Sequence, residues 1–245
     1  MVSVITICYN SEEVIAKTIE SVLSQTYTDI EYIIIDGASK DKTVEIAESY
    51  RQQLEDKGIK YYIYSEPDKG IYDGMNKGIA RATGELVGLI NSGDMYLPEM
   101  IETAVKAYKE EPYDLFYGDI KLVKANGSAI IKKSRMDKFP TSRHWNHPTM
   151  VVRRGYYDEM GTYKCEGIHD DFEFYLRARR ANARIRIVNK VLAEFATGGA
   201  SNQKSFKKCK MRIHDRYQAY KNNGYGGLVA WCECVGIEAA KYIIS

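Results

Sequence analysis

The chain has 245 residues, of which 44% are hydrophobic and 28% are charged, a composition that allows one α/β domain with a sizeable core. A formal net charge of +2 argues against wholesale nucleic-acid binding, because that function needs a concentrated basic surface. The five cysteines lack paired spacing, no apolar run reaches the ~18 residues that span a bilayer, and the sequence opens on a predicted core strand. We therefore expect a cytoplasmic protein with reduced thiols and no signal peptide.

Predicted strands and amphipathic helices alternate over the first half of the chain. Strands are predicted at 2–8, 31–36, 60–65, 85–91 and 114–119, with helices between them at about 12–25, 43–57, 72–81 and 98–109. The first helix keeps its apolar residues at helical spacing, and Asn10 or Ser11 is its predicted cap. Such alternation predicts an α/β fold with a mainly parallel sheet and right-handed crossovers.

The pattern changes after the fifth strand. Asn126-Gly127 lies between two short apolar runs and predicts a hairpin that breaks the parallel rhythm. A strand at 149–153, a helix from about 170 to 181 and a strand at 184–192 follow, and then two amphipathic helices at 205–220 and 227–244. We expect one α/β domain over residues 1–200 and a helical C-terminal appendage over residues 201–245.

Polar segments stand at the carboxyl ends of three predicted strands. They are Cys8-Tyr9-Asn10, Asp36-Gly37-Ala38-Ser39 and Asn91-Ser92-Gly93-Asp94. In an open α/β sheet the carboxyl ends of parallel strands meet at the edge where ligands bind. These segments therefore predict a nucleotide pocket with a place for a metal ion.

These segments, with 65–70 and Asp170-Asp171-Phe172-Glu173, occur in the order of the motifs of one enzyme family. Residues 1–200 resemble the inverting glycosyltransferase family 2, and in particular its branch that makes bacterial surface polysaccharides. The resemblance implies the GT-A fold, which is Rossmann-like with a mostly parallel central sheet. It implies transfer of a sugar from a nucleoside diphosphate sugar, with UDP favoured, to a hydroxyl of a glycan or lipid-linked glycan, assisted by Mg²⁺ or Mn²⁺.

The resemblance also assigns a donor site. Asp36 corresponds to the acid that hydrogen-bonds the nucleotide base, and Tyr9 to a ring that stacks in the base and ribose pocket. The full donor-binding set is Thr6, Tyr9, Asp36, Ser39, Lys69, Asp73, Asn91 and Ser92. The competing interpretation of Asp36 is an ordinary turn or cap carboxylate, as in Asp-Gly turns generally.

Asp94 corresponds to the last acid of the family's metal-binding cluster. Asn91 and Gly93 stand where many members have acids, so the sequence departs from the pattern. One carboxylate together with two phosphates still suits Mg²⁺, which keeps several waters, and we expect weak metal binding without nucleotide. Alternatively, Asp94 caps the helix predicted to begin near Pro98.

Asp171 corresponds to the catalytic base and Asp170 to its acidic neighbour. An inverting transfer needs a carboxylate within hydrogen-bond reach of the attacking hydroxyl. Two carboxylates at a helix N-terminus also favour the helix dipole, so they could be caps, and His169 could serve as the base instead. By resemblance His147 lines the acceptor cleft.

Two other functions compete with an active transferase. A catalytically silent sugar-nucleotide-binding subunit is disfavoured by the presence of both Asp94 and Asp171. A nucleotidyltransferase would need a glycine- and arginine-rich loop after the first strand, where this chain has Tyr9-Asn10-Ser11-Glu12-Glu13.

The first C-terminal helix has a basic amphipathic pattern. Its apolar stripe is Phe206, Cys209, Ile213, Tyr217 and Tyr220, and its basic side chains are Lys204, Lys207, Lys208, Lys210, Arg212 and Arg216. Such helices bind anionic membranes, which would make the protein peripheral at the inner face of the plasma membrane. The stripe could equally pack against the core or a second subunit, as in a homodimer.

Overall fold

The computed structural model describes residues 1–124, 126–196 and 206–243. Its strands are β1 (Val2–Cys8), β2 (Ile30–Asp36), β3 (Lys60–Ser65), β4 (Leu86–Asn91), β5 (Met95–Tyr96), β6 (Leu115–Val123), β7 (Ala129–Lys132), β8 (Val151–Arg153) and β9 (Ile185–Ala196). Its helices are α1 (Ile15–Leu23), α2 (Thr43–Ser49), α3 (Arg51–Asp56), α4 (Ile71–Arg81), α5 (Met100–Glu110), α6 (Arg154–Met160), α7 (Asp170–Arg180), α8 (Phe206–Asn222) and α9 (Leu228–Ile243).

The strands of the described residues form one nine-stranded sheet in the order β3-β2-β1-β4-β8-β6-β9-β5, with β7 paired to β6. Strands β3, β2, β1 and β4 run parallel, and so do β6 and β9. The short β8 lies antiparallel between β4 and β6 and joins the two parallel parts. The predicted α/β class and the hairpin of β6 and β7 are confirmed.

Both faces of the sheet are covered because side chains alternate along its buried strands. Val4 of β1 packs into one core with α1, α2, α3 and α5, whereas its neighbour Ile5 packs into the other with α4, α6 and α7. Each fully buried aliphatic side chain of this size stabilises the fold by about 1.5–3 kcal/mol. This burial on both faces explains the continuous apolar strands of the first half of the chain.

Helix α4 lies unusually close to the sheet because it carries two glycines on its inner face. A Cβ atom on Gly74 would lie 2.9 Å from Ile7 Cγ2, and one on Gly78 would collide with Ile5 Cγ2. The close approach fixes the start of α4, including Tyr72, beside the carboxyl ends of the strands.

Several local predictions are wrong in detail. Helix α1 begins at Ile15, and the first-turn N–H of Ile15 bonds to the backbone oxygen of Ser11, with no side-chain cap. The helix predicted over 43–57 is broken at Tyr50 into α2 and α3. Strand β5 and helix α6 were not predicted, because a two-residue strand and a seven-residue helix are too short for hydrophobic periodicity to be recognised.

Helices α8 and α9 pack on the core that contains α4 and α7. Tyr220 is fully buried, its ring stacks on Phe139, and its hydroxyl donates to the Pro140 backbone oxygen at 2.9 Å. Arg212 forms a buried ion pair with Glu238 of α9, with both N–H to O distances at 2.7 Å. The C-terminal helices are therefore fixed to the domain by specific contacts.

This packing corrects the predicted polar and apolar faces of α8. Arg212 and Arg216, expected on the solvent face, are 4% and 6% exposed, whereas Phe206 of the predicted apolar stripe is 86% exposed. Lys208 and Lys210 are exposed as expected. Lys204, the side chain of Lys207 and the proposed domain boundary at residue 200 lie outside the described residues.

Candidate active site

The polar strand ends converge on one edge of the sheet, as predicted. Strand β1 lies between β2 and β4, with Cys8 beside Asp36 and Ile7 beside Asn91. Across the next ladder Asp36 lies beside Ser65. The four parallel strands therefore end in a continuous row of polar groups.

Hydrogen bonds connect the loops that follow these strands. The Asn10 N–H donates to Ser39 Oγ at 2.8 Å, and the Lys40 N–H donates back to Asn10 Oδ1 at 2.9 Å. Asn10 adopts a left-handed φ of 46°, a conformation that Asn tolerates better than most residues. The hydroxyls of Ser11 and Ser92 lie 2.9 Å apart and join the first loop to the turn after β4. The rim of the cleft is thus held in place without ligand.

Asp36 organises this rim from below. Its side chain is completely buried, and it accepts from the Ser39 N–H at 3.0 Å, from the Ser65 hydroxyl at 2.6 Å and from the Ser39 hydroxyl. A carboxylate offers about four acceptor positions, and the Cys8 thiol, 3.7 Å from Oδ1, makes a fourth and longer contact within the protein. Asp36 therefore orients the hydroxyls of Ser39 and Ser65, and these hydroxyls face the cleft.

Of the two residues predicted to line the base and ribose pocket, Tyr9 is exposed and Thr6 is buried. Thr6 is completely buried, and its hydroxyl lies 3.0 Å from the Tyr32 hydroxyl inside the core, so it has no surface to offer a ligand. Tyr9 is 60% exposed at the strand end. The alternation of β1 places Thr6 on the α1 side of the sheet, a point that the motif alone does not specify.

The floor of the cleft beside Tyr9 has no room for a side chain at Gly37. A Cβ atom on Gly37 would lie 3.3 Å from Tyr9 Cδ2 and 2.7 Å from Asp68 Oδ2. Asp68 therefore belongs to the cleft, although the sequence prediction selected its neighbours. The sequence feature that could have identified Asp68 is its place within the charged segment 65–70.

Lys69 and Asp73 lie where β3 passes into α4, and their contacts differ. Asp73 accepts from the Lys69 N–H at 3.0 Å and pairs with Lys77 at 3.3 Å. The Lys69 backbone bond, followed by the Lys77 contacts, lowers the pKa of Asp73 although slight burial opposes them. Asp73 closes the first turn of α4, and the exposed Lys69 side chain lies at the rim.

The turn after β4 holds Asp94 in a nearly closed position. Thr18 fixes this turn, since its hydroxyl donates to the Asp94 backbone oxygen at 2.8 Å and accepts from the Gly93 N–H at 2.9 Å. Asp94 is 6% exposed. Burial raises the pKa of its carboxyl to about 7, opposed only by a hydrogen bond with the Ala196 backbone. Asp94 does not cap α5, which begins after Glu99 without a side-chain cap.

The oxygen atoms available here fit a cation that substrate phosphates help to hold. The amide oxygen of Asn91, three residues before Asp94, is buried and has no hydrogen-bond partner within the described residues. The described residues contain no cluster of three or more His, Cys, Asp or Glu side chains suited to a metal. Mg²⁺ commonly uses one or two carboxylates together with substrate phosphates and water. One carboxylate and one amide oxygen are therefore enough only when a phosphorylated ligand is bound.

Asp171, at the start of α7, is held through one oxygen. Its Oδ1 accepts from the Tyr72 hydroxyl at 2.9 Å and from the Phe172 N–H at 2.8 Å. Its Oδ2 makes no hydrogen bond within the described part of the chain, and the residue is only partly buried. Burial and the Asp171 charge both raise the pKa of Tyr72, so Tyr72 stays protonated and donates. Tyr72 and the Phe172 N–H therefore hold Asp171 through Oδ1 alone.

Asp170 makes different contacts from its neighbour. It is 5% exposed and accepts from the N–H groups of Glu166 at 2.8 Å and Gly167 at 3.2 Å. Burial raises the pKa of Asp170, although these backbone bonds oppose the shift. The carboxylate closes the loop before α7 and borders a cavity of about 280 Å³ between α7 and α8.

Two further groups interact electrostatically with Asp171, one predicted for the site and one not. His147 is buried in the turn before β8, with Nε2 3.3 Å from the Tyr163 hydroxyl. Burial lowers the pKa of His147 more than the Asp171 charge raises it, which favours the neutral ring. Lys132 of β7 is the second group, and sequence reasoning missed it because an edge strand gives no sign of a buried ammonium.

Comparisons with known proteins identify the family and the fold. The sequence model described as "Glycosyl transferase family 2" matches residues 3–180. A PGL/p-HBAD biosynthesis glycosyltransferase of Mycobacterium bovis (strain BCG / Pasteur 1173P2) is 30% identical over 210 residues, which cover 82% of this chain and 79% of the relative. The uncharacterized glycosyltransferase MT1564 of Mycobacterium tuberculosis (strain CDC 1551 / Oshkosh) is 34% identical over 210 residues, covering 83% and 78%.

Two solved structures share the fold. S. aureus TarS 1-349 in complex with UDP-GlcNAc superposes with a TM-score of 0.69 at 21% identity, covering 99% of this chain and 72% of that one. The mannosyltransferase PcManGT from Pyrobaculum calidifontis, in complex with GDP-Man and Mn²⁺, has a TM-score of 0.67 at 14% identity, covering 99% and 74%. At these identities the likeness carries the fold, which is the expected GT-A fold.

Proposed function

The chain belongs to glycosyl transferase family 2, and from that premise we propose that it moves a sugar with inversion from a UDP-sugar to a hydroxyl of a glycan or lipid-linked glycan. As a member it is a glycosyltransferase that uses a nucleotide sugar. We propose four further points: the base of the donor nucleotide, the inverting course of the reaction, the cation and the acceptor. Asp171 carries the proposal, because one of its oxygens is fixed and the other is left for substrate.

The chemistry follows from this arrangement. The acceptor hydroxyl oxygen forms a bond to the anomeric carbon, and the bond from that carbon to the diphosphate oxygen breaks, with its electron pair leaving on the diphosphate. The hydroxyl proton passes to Asp171 Oδ2 as the new bond forms. A positioned general base of this kind contributes roughly 10²–10⁴-fold in rate. Asp170 supports the reaction by holding the loop that precedes α7.

The donor occupies the cleft at the strand ends in this proposal. Tyr9 stacks on the base or ribose, since its ring is exposed beside the glycine floor. Asp36 acts on the base directly or through the hydroxyls of Ser39 and Ser65 that it orients. Ser92 and Lys69 lie along the path to the diphosphate, and Asp68 joins this set because its Oδ2 lies 2.7 Å from where a Cβ atom on Gly37 would stand.

A divalent cation, Mg²⁺ or Mn²⁺, would be held by Asp94 and the Asn91 amide oxygen. When bound it would supply positive charge that neutralises the diphosphate. The chain's own contribution is the turn that Thr18 fixes, which keeps both oxygens buried at the strand end. His147 and Lys132 border the acceptor side, where His147 is neutral and presents no charge to a sugar.

Two assays test this proposal. Thermal-shift screening against UDP-, GDP- and dTDP-sugars identifies the donor, and the anomeric configuration of the product, read by NMR, identifies the stereochemical course. A retained configuration would refute inversion. A protein that binds a UDP-sugar but neither transfers nor hydrolyses the sugar would instead be the silent binding subunit. Transfer of a nucleotidyl group would indicate the nucleotidyltransferase.

We also propose peripheral membrane contact through α8 and α9, as a separate expectation. Leu228, Val229 and Phe206 are 78%, 64% and 86% exposed, and the exposed Lys208 and Lys210 lie on the same pair of helices. Apolar and basic side chains together favour an anionic membrane surface. No helix in the described ranges is long and apolar enough to cross a membrane. A second copy of the chain is the competing occupant of this surface.

A further inference from the structure

Arg216 of α8 is a buried cation without an ion-pair partner among the described residues. It is 6% exposed, and its Nε and Nη1 atoms have no hydrogen-bond partner within the described residues. Its Nη2 lies 3.4 Å from His169 Nε2, and no carboxylate of the described residues forms a salt bridge with it. A guanidinium stays charged at all ordinary pH values, and burying such a charge unpaired is costly.

No acidic side chain of the described residues forms an ion pair with Arg216. The residues outside the described ranges are 125, 197–205 and 244–245, and none of them is Asp or Glu. Arg212, one turn earlier on the same helix, shows the usual solution, since it pairs with the buried Glu238. The difference between these two arginines indicates that Arg216 is kept for an anion that the chain itself does not supply.

The position of Arg216 identifies which site this anion would enter. Its neighbour His169 immediately precedes α7, whose second residue is Asp171. The Lys132 ammonium interacts electrostatically with both Arg216 and Asp171. Burial and, to a smaller extent, the Arg216 charge lower the pKa of Lys132 and the Asp171 charge raises it, with a net value of about 8. Two cations therefore share the surroundings of one carboxylate.

The Lys132 ammonium is oriented by two hydrogen bonds, which leave one of its N–H donors unused within the described residues. Its ammonium donates to the backbone oxygens of Ser142 at 2.9 Å and Trp145 at 2.8 Å. An ammonium has three N–H donors, so one remains beyond these two bonds. No carboxylate of the described residues lies within ion-pair distance of it.

We propose that Arg216, together with Lys132, binds a phosphate group of a substrate beside Asp171. A guanidinium fork matches phosphate oxygens, and an ammonium adds a point charge. This inference deepens the proposed function and rests on it. The phosphate has two sources, the diphosphate of the donor or a phosphate that links the acceptor glycan to its carrier, and in either case the cations stabilise negative charge close to the reacting atoms.

The experiment compares ligands that differ only in phosphate. Isothermal titration measures UDP and uridine binding to the full chain with wild-type sequence, with Arg216→Gln and with Arg216→Lys. Loss of a charge-assisted bond should weaken UDP by about tenfold or more while uridine is unchanged. Arg216→Lys should recover part of the loss, because it keeps the charge and loses the fork. Inorganic pyrophosphate, titrated in the same way, tests the anion site independently of the base.

Arg212→Gln is the matched control on the same helix. It separates Glu238 from its arginine, so the melting temperature should fall while the ratio of UDP to uridine affinity stays at the wild-type value. Arg216→Gln should leave the melting temperature of the ligand-free protein unchanged or raise it, because it removes an unpaired buried charge. This opposite pair of stability effects separates a ligand-binding arginine from a structural one.

The possible outcomes are distinct. If UDP, uridine and pyrophosphate binding are all unchanged by Arg216→Gln, but KM rises for a phosphate-linked acceptor and not for a phosphate-free one, the phosphate belongs to the acceptor. Unchanged binding and unchanged KM values, or parallel weakening of UDP and uridine, overturn the inference. A wild-type protein that binds pyrophosphate through Arg216 but neither binds UDP nor transfers a sugar keeps the phosphate site and refutes the proposed function.

Discussion

Replacement of Asp171 by Asn tests the assignment of the catalytic base. In the wild-type protein Asp171 Oδ1 lies 2.9 Å from the Tyr72 hydroxyl and 2.8 Å from the Phe172 backbone nitrogen. Asn keeps the shape of the side chain, and its amide oxygen can still accept both hydrogen bonds. What is lost is the second, uncommitted carboxylate oxygen. Because Asp171 forms no ion pair within the described residues, we expect the free energy of unfolding to change by no more than about 1 kcal/mol.

The catalytic effect should be much larger than the effect on stability. Loss of a general base costs roughly 10²–10⁴ in rate, which corresponds to about 2.7–5.5 kcal/mol of transition-state stabilisation. Donor affinity should remain close to the wild-type value, since Asp171 itself makes no proposed contact with the donor. Steady-state kinetics should therefore show a lower kcat, and titration with UDP should show an unchanged dissociation constant.

Glu173→Gln provides the control on the same helix. Glu173 is buried and pairs with Lys164 at 3.0 Å and Arg177 at 3.2 Å, so its replacement should lower stability without a comparable loss of kcat. If Asp171→Asn turns over within a few-fold of wild type while Glu173→Gln behaves as expected, Asp171 is not the base. His169 would then be the next residue to replace.

Three further predictions address the cation, acid stability and membrane contact. Asp94→Ala should abolish the strengthening of UDP-sugar binding by Mn²⁺ while binding without metal is retained; titration with and without Mn²⁺ measures this, and equal metal dependence in both proteins would contradict it. Burial raises the pKa of Asp114, but hydrogen bonds from Arg184 and Arg153 outweigh it and lower the pKa from 3.8 to about 2. The folded-state value is depressed, so the stabilisation of about 2 kcal/mol is complete above about pH 5 and is lost as the pH falls through about 2; urea unfolding should show Asp114→Asn less stable than wild type at pH 7, with most of the difference lost at pH 2. Leu228→Glu should reduce flotation with anionic liposomes at low salt, and absence of wild-type flotation under those conditions would end the membrane proposal.

The sequence was sufficient to predict the sheet and the edge where the site lies. Long buried strands can be recognised in the sequence as continuous apolar runs. Parallel neighbouring strands place their carboxyl ends at the same edge of the sheet, whatever the details of side-chain packing. Asp36, Asn91 and Asp94 could therefore be placed at one edge before their contacts were known. Asp171 was placed by its motif and by the strong helical pattern that follows it.

Other features depended on tertiary packing. Thr6 belongs to the strand that ends at the cleft, yet the alternation of β1 buries its hydroxyl against Tyr32. The periodicity of 43–57 indicates one helix, whereas the chain bends at Tyr50 to pack on β3. Local patterns specify that an element is amphipathic, but the neighbours decide where it begins, breaks and turns.

Helix α8 shows this division most clearly. Its sequence specifies a basic amphipathic helix, and a basic residue is expected on the solvent face because burial of a charge is costly. The fold reverses this expectation at Arg212, which finds Glu238 on α9, and at Arg216, which lies against the loop that precedes Asp171. Both partners are distant in sequence, so no local pattern contains them. The sequence thus determined the helix and its charges, and only the tertiary structure decided which charges face the core and the candidate active site.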